Sequence, residues 1–408
     1  MAEVICYIDQ DIAQVHFAVG HVLRRMLGWD ARIVTRHADI PGSDVPVIVH
    51  AKEAWSHGLH VPPRSTPQDP DVFTFAWRLL SLPEDHQHKT PVDAHGRVPL
   101  TSLAAYRNGW LQRPVLDEAV LTFADEVRAA LPGLPPVKRT YRHVATMDVD
   151  NGFMYLGPEW WRTLASAARD AIRGDTSKLG ERMRVLRGSQ ADPYDVLPGF
   201  RELAGSNADR SIVNFLVSDR GPNDHAVGTR HALMRQRMNE VAAWAEVGIH
   251  PSYASSSHPS RIAMEKARLE QVIGRAVRCS RQHFLRMRLP STYHHLMNVG
   301  VTEEHSIGLS DAIGFRAGTC TPFPYFDPAA QRETDLMLWP FAVMDSAMAY
   351  RMRLTPRAAV EQACALVDRV RAVQGTFIGV WHERFLSDHG AERGWRDAVS
   401  TIIRYAKA

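Results

Sequence analysis

Cysteine is scarce in this 408-residue sequence: Cys6, Cys279, Cys320 and Cys364 stand far apart, with no CxxC pair. That spacing argues against a disulfide framework or a cysteine zinc site and fits a reducing compartment. The chain also lacks an apolar run of the roughly 18 to 20 residues that a membrane-spanning helix needs. An excess of one charge is missing too. With 48 Lys and Arg against 45 Asp and Glu the formal charge is +3, which gives no reason to expect nucleic acid or an anionic membrane as partner. The first residues, MAEVICYIDQDIAQ, carry early acidic groups and no basic stretch leading into an apolar core. No secretory signal is expected there, and a cytoplasmic location is.

What is present is ordinary globular composition, 45% apolar and 23% charged, in a chain longer than one core usually organises. Two domains are therefore expected. The Pro-rich stretch from Pro62 to Pro70 reads as a loop within the first. LPGLPPVKRT, Leu131 to Thr140, follows a helical stretch from Leu116 to Leu131 and precedes a new apolar run. The boundary placed there gives an N-terminal α/β domain over 1–137 and a second domain over 138–408. The first mixes strand-like runs (Val4 to Ile8, Val45 to His50) with amphipathic stretches.

The second domain alternates more regularly. Strands are predicted at Arg142 to Asp148, Ile212 to Ser218, Ala245 to His250, Ala276 to Arg281, His305 to Leu309, Leu336 to Phe341 and Thr376 to His382. Helices are predicted at Leu233 to Ala245, Ile262 to Ile273 and Pro356 to Val373, the last with Thr355 as N-cap, Pro356 at the first position and Val360, Ala363, Val367 and Val370 at helical spacing. Strand followed by helix implies parallel strands. The fold class expected is α/β, a distorted (β/α) barrel of about seven parallel strands behind the N-terminal α/β domain. In such folds the working residues sit at the carboxyl ends of the strands. Asp148 and Asp150, Asp219, His250, Arg281 with His283, Asp345, and His382 all follow predicted strands.

Each of these has a chemical and a plain structural reading. TMDVDN puts Asp148 and Asp150 two apart on a strand, hence on one face, where paired carboxylates call for a cation; otherwise they are solvated loop acids. His250 ends an apolar run just before Pro251 and suits a metal ligand, or is a core histidine bonded to backbone. Arg281 could hold a carboxylate in a fork of hydrogen bonds, or be one of many surface arginines. His382, closing GTFIGVWH, suits a general acid or a buried structural role.

The ordered set TMDVDN, GIHPS, SRQHF and IGVWH resembles the motifs of the polysaccharide deacetylase superfamily, the metal-dependent carbohydrate esterases. LQRPVLDE, HPSYASS, SRQHFLRMRLP and GFRAGTCTPFPYFD are similar to a divergent bacterial subgroup with an extra N-terminal domain, a likeness that covers the whole chain. The resemblance implies that 138–408 is the catalytic domain. It implies Asp148 as general base, Arg281 as its partner and His382 as general acid. Asp150 and His250 become ligands of a divalent metal, zinc above all. The family's next ligand histidine falls on Ala254 here; His283 and His258 are the candidates to replace it, and His283 is preferred because it follows a strand. Arg316 and Thr319 in GFRAGT, Tyr155, Asp345 and Trp381 are expected to contact substrate. The implied activity is removal of an N- or O-linked acetyl group from a carbohydrate, with a nucleotide-linked or lipid-linked sugar of surface-glycan synthesis as substrate. Two other readings stay open: a metal-free amidohydrolase on the same barrel, and a catalytically silent glycan-binding protein.

Overall fold

The computed structural model describes residues 3–40, 45–53, 58–64, 66, 69–87, 89–157, 172 and 176–407. Its strands form two sheets. The first contains β1 (Val4–Ile8), β2 (Ala31–Val34), β3 (Val47–His50) and β4 (Leu59–His60), all parallel, in the order β2-β1-β3-β4. Helices Ala13–Gly20, Val72–Leu80 and Val115–Ala130 accompany it. The second of these starts where Asp71 accepts hydrogen bonds from the Phe73 and Thr74 amides, satisfying two of the free donors at the helix start.

The second sheet has nine strands in the order β10-β11-β9-β8-β7-β6-β5-β13-β12. They are β5 (Arg142–Val149), β6 (Arg210–Phe215), β7 (Glu246–Ile249), β8 (Cys279–Ser280), β9 (Glu303–Glu304), β10 (Phe323–Asp327), β11 (Arg332–Leu338), β12 (Val343–Met344) and β13 (Thr376–His382). All neighbours pair in parallel except β10 with β11. The α/β class and parallel pairing agree with expectation, and among the described residues strand pairing does not close the sheet into a ring. A single irregular stretch bridges the gap instead: the Trp339 and Phe341 amides donate to Glu304 and Ile307, and the Ala342 amide donates to Ile378 on the far side. The sheet is strongly curled. β8 and β5 lie three places apart, about 14 Å in a flat sheet, yet the Arg281 guanidinium after β8 lies 2.8 Å from Asp148 on β5.

Alternation sorts the strand residues by face. Ala145, Met147, Val149, Val213, Phe215, Val247 and Ile249 join the main core beneath the helices. Val144, Ile212, Cys279, Ile378 and Val380 form a smaller cluster on the concave side. Below it Arg210 bonds both Glu246 and Glu303, beside Cys279 and the stacked pair His305 and Trp339. Cys279, Glu303 and His305 have metal-ligand proximity, but the Arg210 guanidinium already supplies the positive charge there.

The seam expected near residue 137 is irregular backbone, and apolar packing crosses it without a break. Phe17 meets Phe326 edge-on, and the buried Asp117 accepts from Thr319, from the Cys320 amide and from Arg139. The strand expected from His305 to Leu309 falls just ahead of that run, at Glu303–Glu304. The strand expected at Leu336 is the second half of a hairpin whose first half, β10, has a fully buried sequence without alternation.

Candidate functional site

The site stands at the carboxyl ends of β5, β6, β7, β8 and β13. Register explains its layout. His382 is aligned with Asp148, Asp148 with Asn214, and Asn214 with Gly248. Gly248 matters because a Cβ there would lie 2.0 Å from Asn214 Oδ1. Its absence leaves Asn214 room to turn toward β5, where Nδ2 donates to Asp148 Oδ1 at 2.8 Å. Arg281 Nη1 donates to the same oxygen and to Thr146 Oγ1, both at 2.8 Å, while its Nε donates to the His305 carbonyl. Oδ1 of Asp148 is thus engaged, and Oδ2 faces His250 Nε2 at 4.0 Å. Burial opposes ionisation of Asp148, but the charge of Arg281, His250 and His382 and the Asn214 amide outweigh it and hold the carboxyl below its usual range.

Two residues on, Asp150 presents Oδ2 to Arg384 at 2.8 Å and Oδ1 to the two histidines. His250 Nε2 is 3.4 Å and His283 Nε2 3.6 Å from that oxygen. The other ring nitrogens are committed: His250 Nδ1 donates to the Arg281 carbonyl, and His283 Nδ1 donates to Asp224 at 3.0 Å. With the proton of each neutral ring on Nδ1, both Nε2 atoms carry lone pairs. Asp150 Oδ1 is buried and accepts no hydrogen bond from any described residue. With both rings neutral, three lone-pair atoms would converge on one point. Their spacing is close to the roughly 3.3 Å separating ligands around a four-coordinate ion with bonds of about 2.0–2.1 Å. Asp150, His250 and His283 could hold a metal ion. Their outer partners, a backbone carbonyl and a carboxylate, are those that fix ligand histidines. Burial opposes a charge on His250, yet Asp148 and Asp150 draw its pKa upward, and the same carboxylates would draw a cation.

His382 completes the group. Asp345, fully buried, accepts from the His382 backbone amide at 2.7 Å and from Nδ1 at 2.6 Å, leaving Nε2 as the free donor. Burial disfavours its protonation, but Asp345 and then Asp150 and Asp148 outweigh that and raise its pKa to about 9. A cavity of about 370 Å³ opens between Arg97 and Gly96 on one side and Leu285, Ser306 and Gly308 on the other, and none of the clustered residues lines it.

Among solved structures, several resemble this chain loosely. A candidate polysaccharide deacetylase from Mycobacterium smegmatis is 13% identical at a TM-score of 0.40, over 65% of this chain and 86% of the other. The polysaccharide deacetylase Bc1974 from Bacillus cereus is 9% identical at 0.30, over 64% and 86%. A candidate polysaccharide deacetylase involved in O-antigen biosynthesis in Bordetella bronchiseptica is 13% identical at 0.33, over 65% and 84%. No family model and no curated protein matches the chain.

Sequence reasoning and geometry meet at Asp148, Asp150, His250, Arg281, His283, Asp345 and His382, which lie together. His258 is exposed and near only its own turn, at the Ala254 carbonyl. Four other residues lie elsewhere than expected. Trp381 is fully buried, because on a strand it points to the face opposite His382. Arg316 is buried and spends its charge on both oxygens of Asp85 at 2.8 Å, and Thr319 donates to Asp117. Those partners come from the N-terminal part. Tyr155 is buried with its hydroxyl on Glu181, and Arg316 is among the residues lining the cavity described above. Asp345 holds His382 and has no exposed surface for substrate. Asp219 pairs with Arg268 at the surface.

Asn214, Asp224, Glu383 and Arg384 were not singled out. A lone amide inside the apolar run IVNFLV was a readable signal for Asn214, and Glu383 and Arg384 directly follow His382. Asp224 lies in a loop without pattern.

Proposed function

We propose that this protein is a metal-dependent hydrolase that removes an N- or O-linked acetyl group from a carbohydrate. The convergence of Asp150 Oδ1, His250 Nε2 and His283 Nε2 beside a separately held carboxylate, Asp148, carries this reading. The set of one carboxylate and two imidazoles suits zinc with an open position. A bound zinc ion would polarise the acetyl carbonyl and lower the pKa of water. Asp148, held by Arg281 and Asn214 through Oδ1, takes the proton of the attacking water on Oδ2. As the bond from the carbonyl carbon to nitrogen or oxygen breaks, His382 Nε2 gives its proton to the leaving amine or alkoxide. Acetate and the free sugar group are the products. Asp345 keeps His382 protonated and aimed.

The test is metal content of the purified protein together with acetate release from acetylated sugars, nucleotide-linked and lipid-linked ones first. Stoichiometric zinc and turnover are expected. Asp148→Asn should lower turnover by on the order of a hundredfold or more while metal stays bound. A protein that takes up no divalent metal, or an Asp148→Asn variant that keeps full turnover, would sink the assignment.

A further inference from the structure

The turn that carries His283 is strained. Phe284 and Leu285 follow it with φ of 60° and 54°, a left-handed conformation that costs energy for any residue with a Cβ. Such a turn persists only when its surroundings over-determine it. On one side the loop after β6 does so: Asp224 accepts from both His283 Nδ1 and the Tyr253 amide. On the other side stands a short turn from the N-terminal part, Asp93 to Arg97, far upstream in sequence.

That turn is self-contained and stiff. The Asp93 amide donates to the Arg97 carbonyl, the Gly96 amide donates to the Asp93 carbonyl, and Asp93 Oδ1 accepts from the His95 and Arg97 amides. Gly96 takes the left-handed position at φ 78°. Arg97 is paired with Asp93 at 2.6 Å, so its guanidinium is fixed. From there Arg97 Nη1 donates to the Phe284 carbonyl at 3.3 Å, and the His95 ring lies 5.0 Å from the Phe284 ring. His95 Nδ1 meets the Tyr253 hydroxyl, and Arg286 clamps the assembly by donating to the His95 and Tyr253 carbonyls, both at 2.9 Å. Phe284 is thereby held between His95, Tyr253 and His283.

We propose that the Asp93–Arg97 turn is a positioning element for His283, so that the N-terminal part sets the affinity of the metal site. This rests on the metal-site reading above. The experiment measures zinc affinity of the full chain by chelator competition, for wild type, Arg97→Ala, His95→Ala, His283→Ala and the Arg97→Ala/His283→Ala double variant. Zinc affinity should fall about tenfold for Arg97→Ala, at the low end of outer-shell effects, and by a smaller factor for His95→Ala. Arg97→Lys should recover part of the loss. With His283 already removed, Arg97→Ala should change nothing further. Unchanged affinity in Arg97→Ala, or the same further loss in the His283→Ala background, overturns the proposal while leaving the metal site standing. If Arg97→Ala does not fold, His95→Ala decides alone, with unchanged affinity as the overturning result. A wild-type chain that binds no zinc overturns the site reading and this proposal together.

Discussion

At the scale of single residues, His382 has the most direct consequence for pH. Its pKa in the fold, about 9, lies above the ordinary value of about 6.5. Its protonated form therefore stabilises the fold fully below about pH 6.5, and that contribution fades as pH rises through about 9. In the proposed mechanism the same proton serves the leaving group, so its loss should set the basic limb of activity. Asp345→Asn removes the carboxylate that raises it, and the limb in a pH–rate profile should move to lower pH; an unmoved limb would clear His382 of the role. If the proposed zinc site is right, His283→Ala should weaken zinc binding measurably without abolishing it and His258→Ala should leave it unchanged, measured by chelator competition. These residues were legible because each polar group ends an apolar run. Trp381 was misread for the same reason, since adjacency in sequence places it beside His382 and alternation then turns it the other way. Arg316 and Thr319 could not be read correctly, because their partners Asp85 and Asp117 lie some two hundred positions upstream.

Among the elements, β7 shows how a residue without a side chain shapes chemistry on its neighbour. Gly248→Ala should push Asn214 away from Asp148, lowering turnover with metal still bound; a kinetic comparison of the variant with wild type checks it. The helix Pro356–Ala372 offers a contrast far from the site. Thr355 accepts from the Ala358 amide, and Thr355→Ala should cost about 0.5–2 kcal/mol of stability in denaturant unfolding without touching metal binding. That cap, the proline after it and the apolar spacing were all readable in sequence. Strands β5, β7 and β13 were readable within a few residues, as apolar runs bounded by polar ends. The β10–β11 hairpin was not, since PFPYFD is buried on both faces and shows neither period.

For the whole molecule, the pairing of β5 with β13 sets the order of events. These strands carry the proposed base and proton donor in direct register, yet bonded partners such as Thr146 and Gly379 are 233 positions apart in the chain. A contact of such long range closes late and slowly. On a ribosome adding about 5–20 residues per second, β5 would wait roughly 10 to 50 seconds for its neighbour. Through that interval one edge of an apolar strand has no partner, a template for aggregation. A chain stopped at Val373 should therefore collect as aggregates on size-exclusion chromatography, where the full chain runs as a discrete species. Refolding from denaturant should regain activity in the same slow phase that completes tertiary structure. If β5 and β13 pair last, no earlier intermediate should be partly active, because that pairing is what makes Asp148 and His382 neighbours.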